Sequence, residues 1–411
     1  MGSKRPDRRG FLKGSAALAG GLTLGAAEPA LGQLPNPETF IKGTDELVAY
    51  GSRSRFVNSV RIAHPPDSRP SPDAFGKLFH IAAPLQDSVG MITPSSLHFI
   101  GTTRGSFVPE IDPQEHRLMI HGLVDRPLVF TMVDLKRLPS VTRPHFIECA
   151  GNRSRSQHKT VQETHGMTSC AEWTGVLLST LLKETGVKGT GKWMVAEGVE
   201  EVKGASSIPI EKAMDDCVVA YGMNGEAVRP QNGFPLRLLV PGFEGIFNSK
   251  YLRRVKIVDR YYMTYNDFGH LTRDPDTAAL GYQIGPKSVI TSPSGGQQLP
   301  DRGAYEISGL AWSGGGAIGR VEVSTDGGRS WADAQIQGTA HRMAHTRFTF
   351  QWKWDGNEAE LLSRSTDEIG QVQPARAQIT EFFNSRGVPG MDNSIQPWHI
   401  ASDGSVQNAI T

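Results

Sequence analysis

The pattern of hydrophobic and polar positions changes near residue 285 of this 411-residue chain. Between residues 90 and 285, short apolar runs typical of strands are separated by a few stretches with helical spacing. In the stretch 177–186, leucines recur on one helical face and Gly186 ends the helix, and Ile210–Asp215 indicates a second helix. This mixture of strands and helices predicts an α+β domain over residues 90–285.

Beyond residue 285 the helical periodicity disappears and short alternating strands recur. The runs 305–312, 320–324 and 348–354 alternate apolar and polar residues, and 326–328 (Asp-Gly-Gly) is typical of a tight turn. Strands at this spacing predict an all-β sandwich over residues 286–411. Its tryptophans are expected in the core, with a binding role as the alternative: Trp312, Trp331, Trp352 and Trp354.

The N-terminus has the pattern of an export signal. Arg8 and Arg9 are followed by Phe-Leu-Lys and then by a weakly apolar stretch of small residues, 14–27. We predict a twin-arginine signal peptide over residues 1–32, a polar extended segment over 33–89, and a protein exported in folded form to the periplasm. The apolar stretch is too short for a membrane span, so no stable membrane anchor is expected, and an amphipathic surface helix is the alternative.

Composition narrows the function classes. The formal net charge of +1 argues against a nucleic-acid binder. The three cysteines, Cys149, Cys170 and Cys217, are an odd number, so a full disulfide framework is excluded. The sequence contains no Cys-x-x-Cys-His haem motif, no iron–sulfur spacing and no nucleotide-binding glycine motif. Electrons from any redox centre in this chain are therefore expected to leave through another protein.

Cys149 is the candidate for redox chemistry. It follows a short apolar run, 141–147, that reads as a buried strand, and Gly151-Asn152 indicates a sharp turn after it. A cofactor can reach a side chain at such a strand end, and a thiolate is a soft ligand that suits a redox-active metal. The alternative is a buried and inert cysteine.

Several separated motifs resemble the sulfite oxidase family of molybdenum enzymes. The run Cys149-Ala150-Gly151-Asn152-Arg153 resembles the family's molybdenum-cysteine motif, and the segments 232–237, 240–242 and 248–252 follow in the family's order. The region after 285 is similar to the family's immunoglobulin-like dimerisation domain. Within the family, the segment 161–175 most resembles the SoxC-type sulfane dehydrogenase subunits of bacterial sulfur-oxidising systems.

The resemblance implies a molybdenum–molybdopterin cofactor whose metal is bound by Cys149. It also implies a set of cofactor-binding residues, in which Arg237, Ser249 and Lys250 contact the pterin phosphate. For Arg237 the alternative is a surface charge on an edge strand, and for Trp173 it is a place in the core. The full set is Asn152, Trp173, Asn232, Arg237, Asn248, Ser249 and Lys250.

An anionic sulfur substrate requires positive potential near the metal. Arg153 and Arg104 are the residues we assign to catalysis, and Arg155, His158, Lys159 and His165 are further candidates; a solvated basic loop is the alternative. The sequence also departs from the family. Asn232 stands where the family usually has His. The family's active-site tyrosine aligns with Leu271, near Tyr261, Tyr262 and Tyr265, and a substrate-binding arginine is missing around 398–400.

These departures remove anion contacts and favour a substrate larger than sulfite. The resemblance therefore implies a sulfane dehydrogenase that acts on a sulfur-carrier protein and passes electrons to a c-type cytochrome, as a homodimer or a heterotetramer with that cytochrome. A sulfite dehydrogenase with a soluble cytochrome c is the first alternative. A non-enzymatic exported scaffold is the second.

Overall fold

The computed structural model describes residues 51–64 except 52 and 55, and 79–102, 108–199, 205–264, 283–386 and 391–410. The twin-arginine segment lies outside the described residues. The chain divides into the unit Met1–Asn58, whose described residues form no helix or strand, and the compact unit Ser59–Thr411. No helix among the described residues is long and apolar enough to cross a membrane.

The described residues of the compact unit up to Val258 form three sheets and four short α-helices. One sheet has the order β1-β2-β3, the second β11-β10-β7-β6 with β12 beside β10, and the third β5-β4-β13-β8-β9. The strands are β1 (Ile62–His64), β2 (Phe79–Ala82), β3 (Ile100–Thr102), β4 (Arg117–Gly122), β5 (Leu128–Thr131), β6 (Ser140–Glu148), β7 (Thr168–Leu177), β8 (Trp193–Gly198), β9 (Ala205–Pro209), β10 (Val218–Met223), β11 (Glu226–Ala227), β12 (Arg237–Leu239) and β13 (Leu252–Val258). The helices are α1 (Met132–Arg137), α2 (Val161–His165), α3 (Leu178–Thr185) and α4 (Ile210–Asp215). The two predicted helices are confirmed as α3 and α4.

Local chemistry explains where these helices begin and end. The side chain of Thr160 accepts a hydrogen bond from Glu163 N, and Glu163 accepts one from Thr160 N, so a capping box starts α2. Helix α3 buries the predicted leucine face and ends at Gly186, which has a φ of 68°. Glycine adopts this left-handed conformation without strain, which is why the chain turns here.

The residues from Lys287 onward form a two-sheet β-sandwich. One sheet has the order β14-β15-β19-β18 and the other β17-β16-β20-β21-β22. The strands are β14 (Lys287–Ser292), β15 (Gly303–Trp312), β16 (Ile318–Ser324), β17 (Ala332–Asp333), β18 (Gln335–Ile336), β19 (Thr346–Trp354), β20 (Ala359–Asp367), β21 (Trp398–Ile400) and β22 (Val406–Asn408), with α5 (Arg376–Arg386) between β20 and β21. The α+β domain followed by a sandwich is the predicted fold class.

The tryptophans of the sandwich are only partly in its core. Trp312 and Trp354 are buried, as expected. Trp352 is half-buried and packs against the core cluster, whereas Trp331 is half-buried and is not part of that cluster, contrary to the prediction. Trp331 lies instead under the guanidinium of Arg364, 4.3 Å from the ring centroid, where a cation–π contact replaces core packing.

The sandwich packs closely on the first region. A single cluster of buried apolar residues contains Phe146 and Met167 from one side and Trp312 from the other. Phe146 N donates a 2.9 Å hydrogen bond to Met343 O. Gly242 and Gly314 approach so closely that a Cβ on either would overlap the other's backbone. The end of β6, which precedes Cys149, is therefore held against the C-terminal sandwich.

Candidate active site

Cys149 directly follows β6, as the sequence predicts. Its backbone N donates to Met167 O at 3.0 Å, and its O accepts from Asn152 N at 2.9 Å, which closes a tight turn. The Cys149 side chain is half-buried, whereas Cys170 and Cys217 are 0% and 1% exposed. Among the three cysteines, Cys149 alone is accessible from outside the core.

The surroundings of Cys149 favour the neutral thiol in the protein alone. Burial raises its pKa to about 11, the carboxylates of Glu244 and Glu148 act in the same direction, and a hydrogen bond from Gly151 N opposes them. A thiolate here needs a compensating positive charge, which a bound metal ion supplies. The inert alternative does not explain why the thiol is accessible.

His80 is a neighbour of Cys149 that the sequence analysis missed. Its Nε2 lies 3.5 Å from Cys149 Sγ. His80 lies on β2, the central strand of the small sheet that includes β1 and β3. The N-terminal part of the compact unit thus reaches the candidate site. Arg104, two residues beyond β3, lies outside the described residues.

A second group of predicted residues converges around Trp173, in the middle of β7. The Arg237 guanidinium lies 4.9 Å from the Trp173 ring centroid and donates hydrogen bonds to Asn232 O at 2.7 Å and Asn248 O at 3.1 Å. The His98 ring packs edge-on against Trp173, with centroids 5.8 Å apart. Arg237 is 4% exposed, so the surface alternative for this residue is wrong.

Contacts along the β6–β7 pair connect this cluster with the end of the pair at which Cys149 lies. Phe99 N, next to His98, donates to Ser169 Oγ at 3.0 Å, and Ser169 pairs with Ile147, two residues before Cys149. Trp173 Nε1 donates to His145 O of β6 at 3.2 Å. The structure therefore brings the thiol and the Arg237 cluster to one region, although their motifs are far apart in sequence.

The turn that precedes Arg237 requires glycine. Gly233 has a φ of 112°, and a Cβ there would lie 3.1 Å from Cα of Lys250 and 3.1 Å from Cβ of Arg237. A larger residue would push Lys250 away from Arg237 and Asn232.

Two predicted cofactor residues have their side chains engaged by the protein. Asn152 Nδ2 donates to Glu148 Oε1 at 2.8 Å and its Oδ1 accepts from Met167 N at 2.9 Å. Asn248 Oδ1 accepts from Val240 N and its Nδ2 donates to Glu244 O. These bonds shape the loops on which Cys149 and Ser249 lie, so the side chains contribute by placing the loops.

The predicted basic residues lie in three places: in a cavity, in the protein interior and on the surface. A cavity of about 300 Å³ between the loop after Cys149 and helix α5 is lined by Arg153, Ser154, Arg155, Arg376, Ile379, Thr380 and Asp392. Its three arginine guanidinium groups have no ion-pair partner among the described residues and outnumber its one carboxylate. This surplus favours an anion. His158 and His165 are buried instead, and Lys159 is exposed.

The candidate tyrosines give no active-site group among the described residues. Tyr261 packs edge-on against Trp193, with centroids 5.3 Å apart, and Tyr262 is 40% exposed. Tyr265 and Leu271 lie outside the described residues.

Two family models match the chain in the order of its two regions. Residues 105–266 match the oxidoreductase molybdopterin binding domain, and residues 279–399 match the Mo-co oxidoreductase dimerisation domain. The structure of the sulfane dehydrogenase SoxCD from Paracoccus pantotrophus is 37% identical, with a TM-score of 0.81, and the match covers 93% of this chain and 99% of that one. The chain belongs to the sulfite oxidase family of molybdenum enzymes.

Two curated relatives are less similar in sequence and are longer than this chain. Mitochondrial sulfite oxidase of Rattus norvegicus is 30% identical over 345 residues, which cover 75% of this chain and 60% of the rat protein. Nitrate reductase [NADH] 1 of Arabidopsis thaliana is 33% identical over 350 residues, covering 72% of this chain and 37% of the plant protein. The chain thus spans less than two thirds of these relatives.

The residues present fit the molybdopterin cofactor of this family. Three buried polar atoms near Arg237 have no hydrogen-bond partner among the described residues: His98 Nε2, Asn232 Oδ1 and Ser249 Oγ. His98 Nδ1 lies 3.0 Å from Phe99 O and burial lowers the pKa of the ring to about 3, so Nδ1 carries the proton and Nε2 is an acceptor. A pterin offers N–H donors to such acceptors, and Arg237, Ser249 and Lys250 remain the predicted phosphate contacts.

Buried neutral histidines make the stability of this region sensitive to acid. Burial is the main cause that lowers the pKa of His98 and His345 to about 3 and of His145 to about 4. Below pH 6.5 the histidines of the unfolded chain bind protons that those of the folded chain do not. The free energy of unfolding therefore decreases as the pH is lowered from 6.5 to the pKa of the folded protein. Each histidine contributes up to ~1.4 kcal/mol per pH unit in that window. We expect the urea midpoint to fall steeply between pH 6 and pH 5, and His345→Gln to make this fall less steep, because His345 is one of several histidines, His165 among them, whose pKa burial lowers. An unchanged slope in that variant would contradict the assignment.

Proposed function

We propose that this protein oxidises sulfane sulfur held on a carrier protein and passes the electrons to a c-type cytochrome. The likeness to the sulfane dehydrogenase SoxCD, which spans 99% of that chain, is the main support. Each oxygen transferred to sulfur comes from water, and the reaction releases two protons and two electrons per oxygen. A one-electron acceptor such as a haem then accepts the electrons one at a time.

The cofactor and the residues around it have different roles in this reaction. The bound cofactor supplies the change of oxidation state and the oxygen transfer. Cys149 holds the metal, and Arg237 with its neighbours holds the pterin. The arginine-lined cavity lies beside the loop that follows Cys149, and Arg153 is our candidate for attracting an anionic sulfur group there. The partly accessible thiol and the assembled pterin cluster argue against a non-enzymatic scaffold.

Sulfite is the second candidate substrate. The similarity to rat sulfite oxidase favours it, at 30% identity. The absence of the expected arginine around 398–400, where Trp398 is fully buried, argues for a substrate with fewer anion contacts.

Kinetics with both substrates test this proposal. The cofactor-loaded protein is assayed with a cysteine persulfide on a synthetic peptide and with sulfite, each with and without a c-type cytochrome. We expect kcat/KM for the persulfide to exceed that for sulfite at least tenfold, and turnover to require the cytochrome. Equal or faster oxidation of sulfite would favour the second candidate.

The partner surface is expected near the Cys149 loop. Arg155 and Lys159 are exposed there and are suited to steer an acidic cytochrome face. The region matched by the dimerisation model is then free to form the homodimer. In the same assay, electron transfer should slow as ionic strength rises, and a rate independent of salt would contradict this docking face.

Export through the twin-arginine route is part of this proposal, because a cofactor inserted in the cytoplasm must cross the membrane in folded protein. We expect the double substitution Arg8→Lys and Arg9→Lys to leave the protein in the cytoplasm. Cell fractionation with activity staining measures this, and a single Arg8→Lys variant serves as a milder control. Normal periplasmic accumulation of the double variant would show that the motif is not read as a signal.

A further inference from the structure

Glu148, the residue before Cys149, forms a fully buried ion pair with the C-terminal sandwich. Its Oε1 lies 2.8 Å from Lys287 Nζ, and the two side chains are 0% and 1% exposed. Lys287 is the first residue of β14, 139 positions away in sequence. Trp312, at the end of β15, donates from Nε1 to the other carboxylate oxygen, Oε2, at 2.7 Å.

The same lysine also binds the other end of the cysteine turn. Lys287 Nζ donates to Asn152 O at 2.6 Å, and Asn152 Nδ2 donates back to Glu148 Oε1 at 2.8 Å. Residues 148 and 152, on either side of Cys149, are thus tied to each other and to one ammonium group. Both carboxylate oxygens of Glu148 have partners.

Stability by itself does not explain this buried ion pair. Removing two charges from water carries a large desolvation cost, and apolar residues of similar volume often stabilise a protein as well. The contact between the two regions already has apolar packing and the Gly242–Gly314 approach. What the ion pair adds is direction, because charged hydrogen bonds fix the orientation of the groups they join.

We propose that Lys287 and Trp312 are positioning residues for Cys149, through which the C-terminal sandwich sets the direction of the metal-binding thiol. The inference rests on the role of Cys149 as the molybdenum ligand and does not depend on which sulfur compound is oxidised. The sandwich then has a part in the active site besides its part in dimerisation.

The test uses the full-length, cofactor-loaded protein with three variants: Lys287→Met, Glu148→Gln and the double variant Glu148→Met/Lys287→Met. The readouts are molybdenum content, the Mo(V) electron paramagnetic resonance spectrum and kcat against KM. For Lys287→Met we expect near-normal metal content, shifted Mo(V) g values, and a kcat at least tenfold lower with KM changed less than twofold.

The double variant separates positioning from simple attachment of the two regions. It leaves no unpaired buried charge, so it should fold even where a single variant does not. If Lys287 positions the thiol, the spectrum of the double variant stays shifted. A double variant with the wild-type spectrum and kcat would overturn the proposal and leave the pair a structural contact.

Arg364→Met is the matched control. Arg364 Nε lies 2.7 Å from the carboxylate of Glu322, which is 6% exposed, within the sandwich itself. Its loss should lower the unfolding temperature and leave the Mo(V) spectrum unchanged. A shifted spectrum in Arg364→Met would show that the Mo(V) spectrum responds to any loss of stability, and this would refute the inference. The wild type could show a cysteine-ligated Mo(V) signal and oxidise neither persulfide nor sulfite. In that case the proposed function is wrong, and the Mo(V) spectra of the variants still decide whether Lys287 positions the thiol.

Discussion

Replacing Cys149 by serine is expected to abolish turnover, with at least a thousandfold loss of kcat, while the pterin stays bound. A serine oxygen is a hard ligand that substitutes poorly for a soft thiolate on this metal. The predicted pterin contacts converge around Arg237 and Trp173, apart from the cysteine turn, so they should survive the change. Activity, pterin fluorescence after release and molybdenum content measure the outcome.

Cys217→Ser is the control for this variant. Cys217 is 1% exposed and donates from Sγ to Lys212 O at 3.3 Å, a bond that a serine hydroxyl can keep. We expect its activity within about twofold of the wild type, because Cys217 packs in the apolar cluster with Leu178 and Leu182 and not in the cluster that Cys149 contacts. A purified Cys149→Ser protein with wild-type activity would refute the assignment of the metal ligand.

The parts of the fold that the sequence predicts are those encoded by neighbouring residues. The leucine face and Gly186 determine α3 within ten positions, and alternation marks β15, β16 and β19 directly. The position of Cys149 at a strand end follows from the apolar run before it and the Gly-Asn turn after it. Each of these features depends on local geometry, so pattern alone was sufficient.

The environment of Cys149 was not predictable in the same way. His80 is 69 positions away and Lys287 is 138 positions away, and both reach the cysteine turn only because strands from separate sheets pack together. A lone histidine on a short strand and a lysine at the start of a β-run carry no periodic signal. The charge of Lys287, at the edge of an apolar run, was the one hint that it needed a buried partner.

The motifs predicted which segments lie near the site better than they predicted what each side chain does there. Asn152 and Asn248 lie within cofactor-like segments, yet their side chains bond to Glu148, Met167 and nearby backbone. A short polar side chain can form hydrogen bonds either with the backbone of its own loop or with a ligand, and the sequence does not distinguish the two. The cofactor-binding roles of these residues therefore stay predictions.

Arg237→Met is expected to empty the pterin site. The variant removes the only charge of the cluster formed with Trp173, Asn232 and His98, and it leaves the carbonyls of Asn232 and Asn248 without their guanidinium donor. Because hydrogen bonds to charged groups contribute about 1.5–3 kcal/mol each and the variant loses two of them, we expect a stability loss of about 3–6 kcal/mol. The pterin and molybdenum content should fall at least tenfold, measured on purified protein by metal analysis and pterin fluorescence.

Two further variants separate the loss of cofactor from the loss of stability. Arg347 also donates to backbone carbonyls, Ser88 O at 2.6 Å and Gly90 O at 3.3 Å, but it lies at the packing contact of the sandwich. Arg347→Met should therefore reduce stability by a similar amount and retain the cofactor. Arg237→Lys keeps the charge but replaces the planar fork with a single ammonium, so partial cofactor retention is expected. Equal cofactor loss in Arg347→Met and Arg237→Met would mean that stability alone governs loading, and Arg237 would lose its assignment as a phosphate contact.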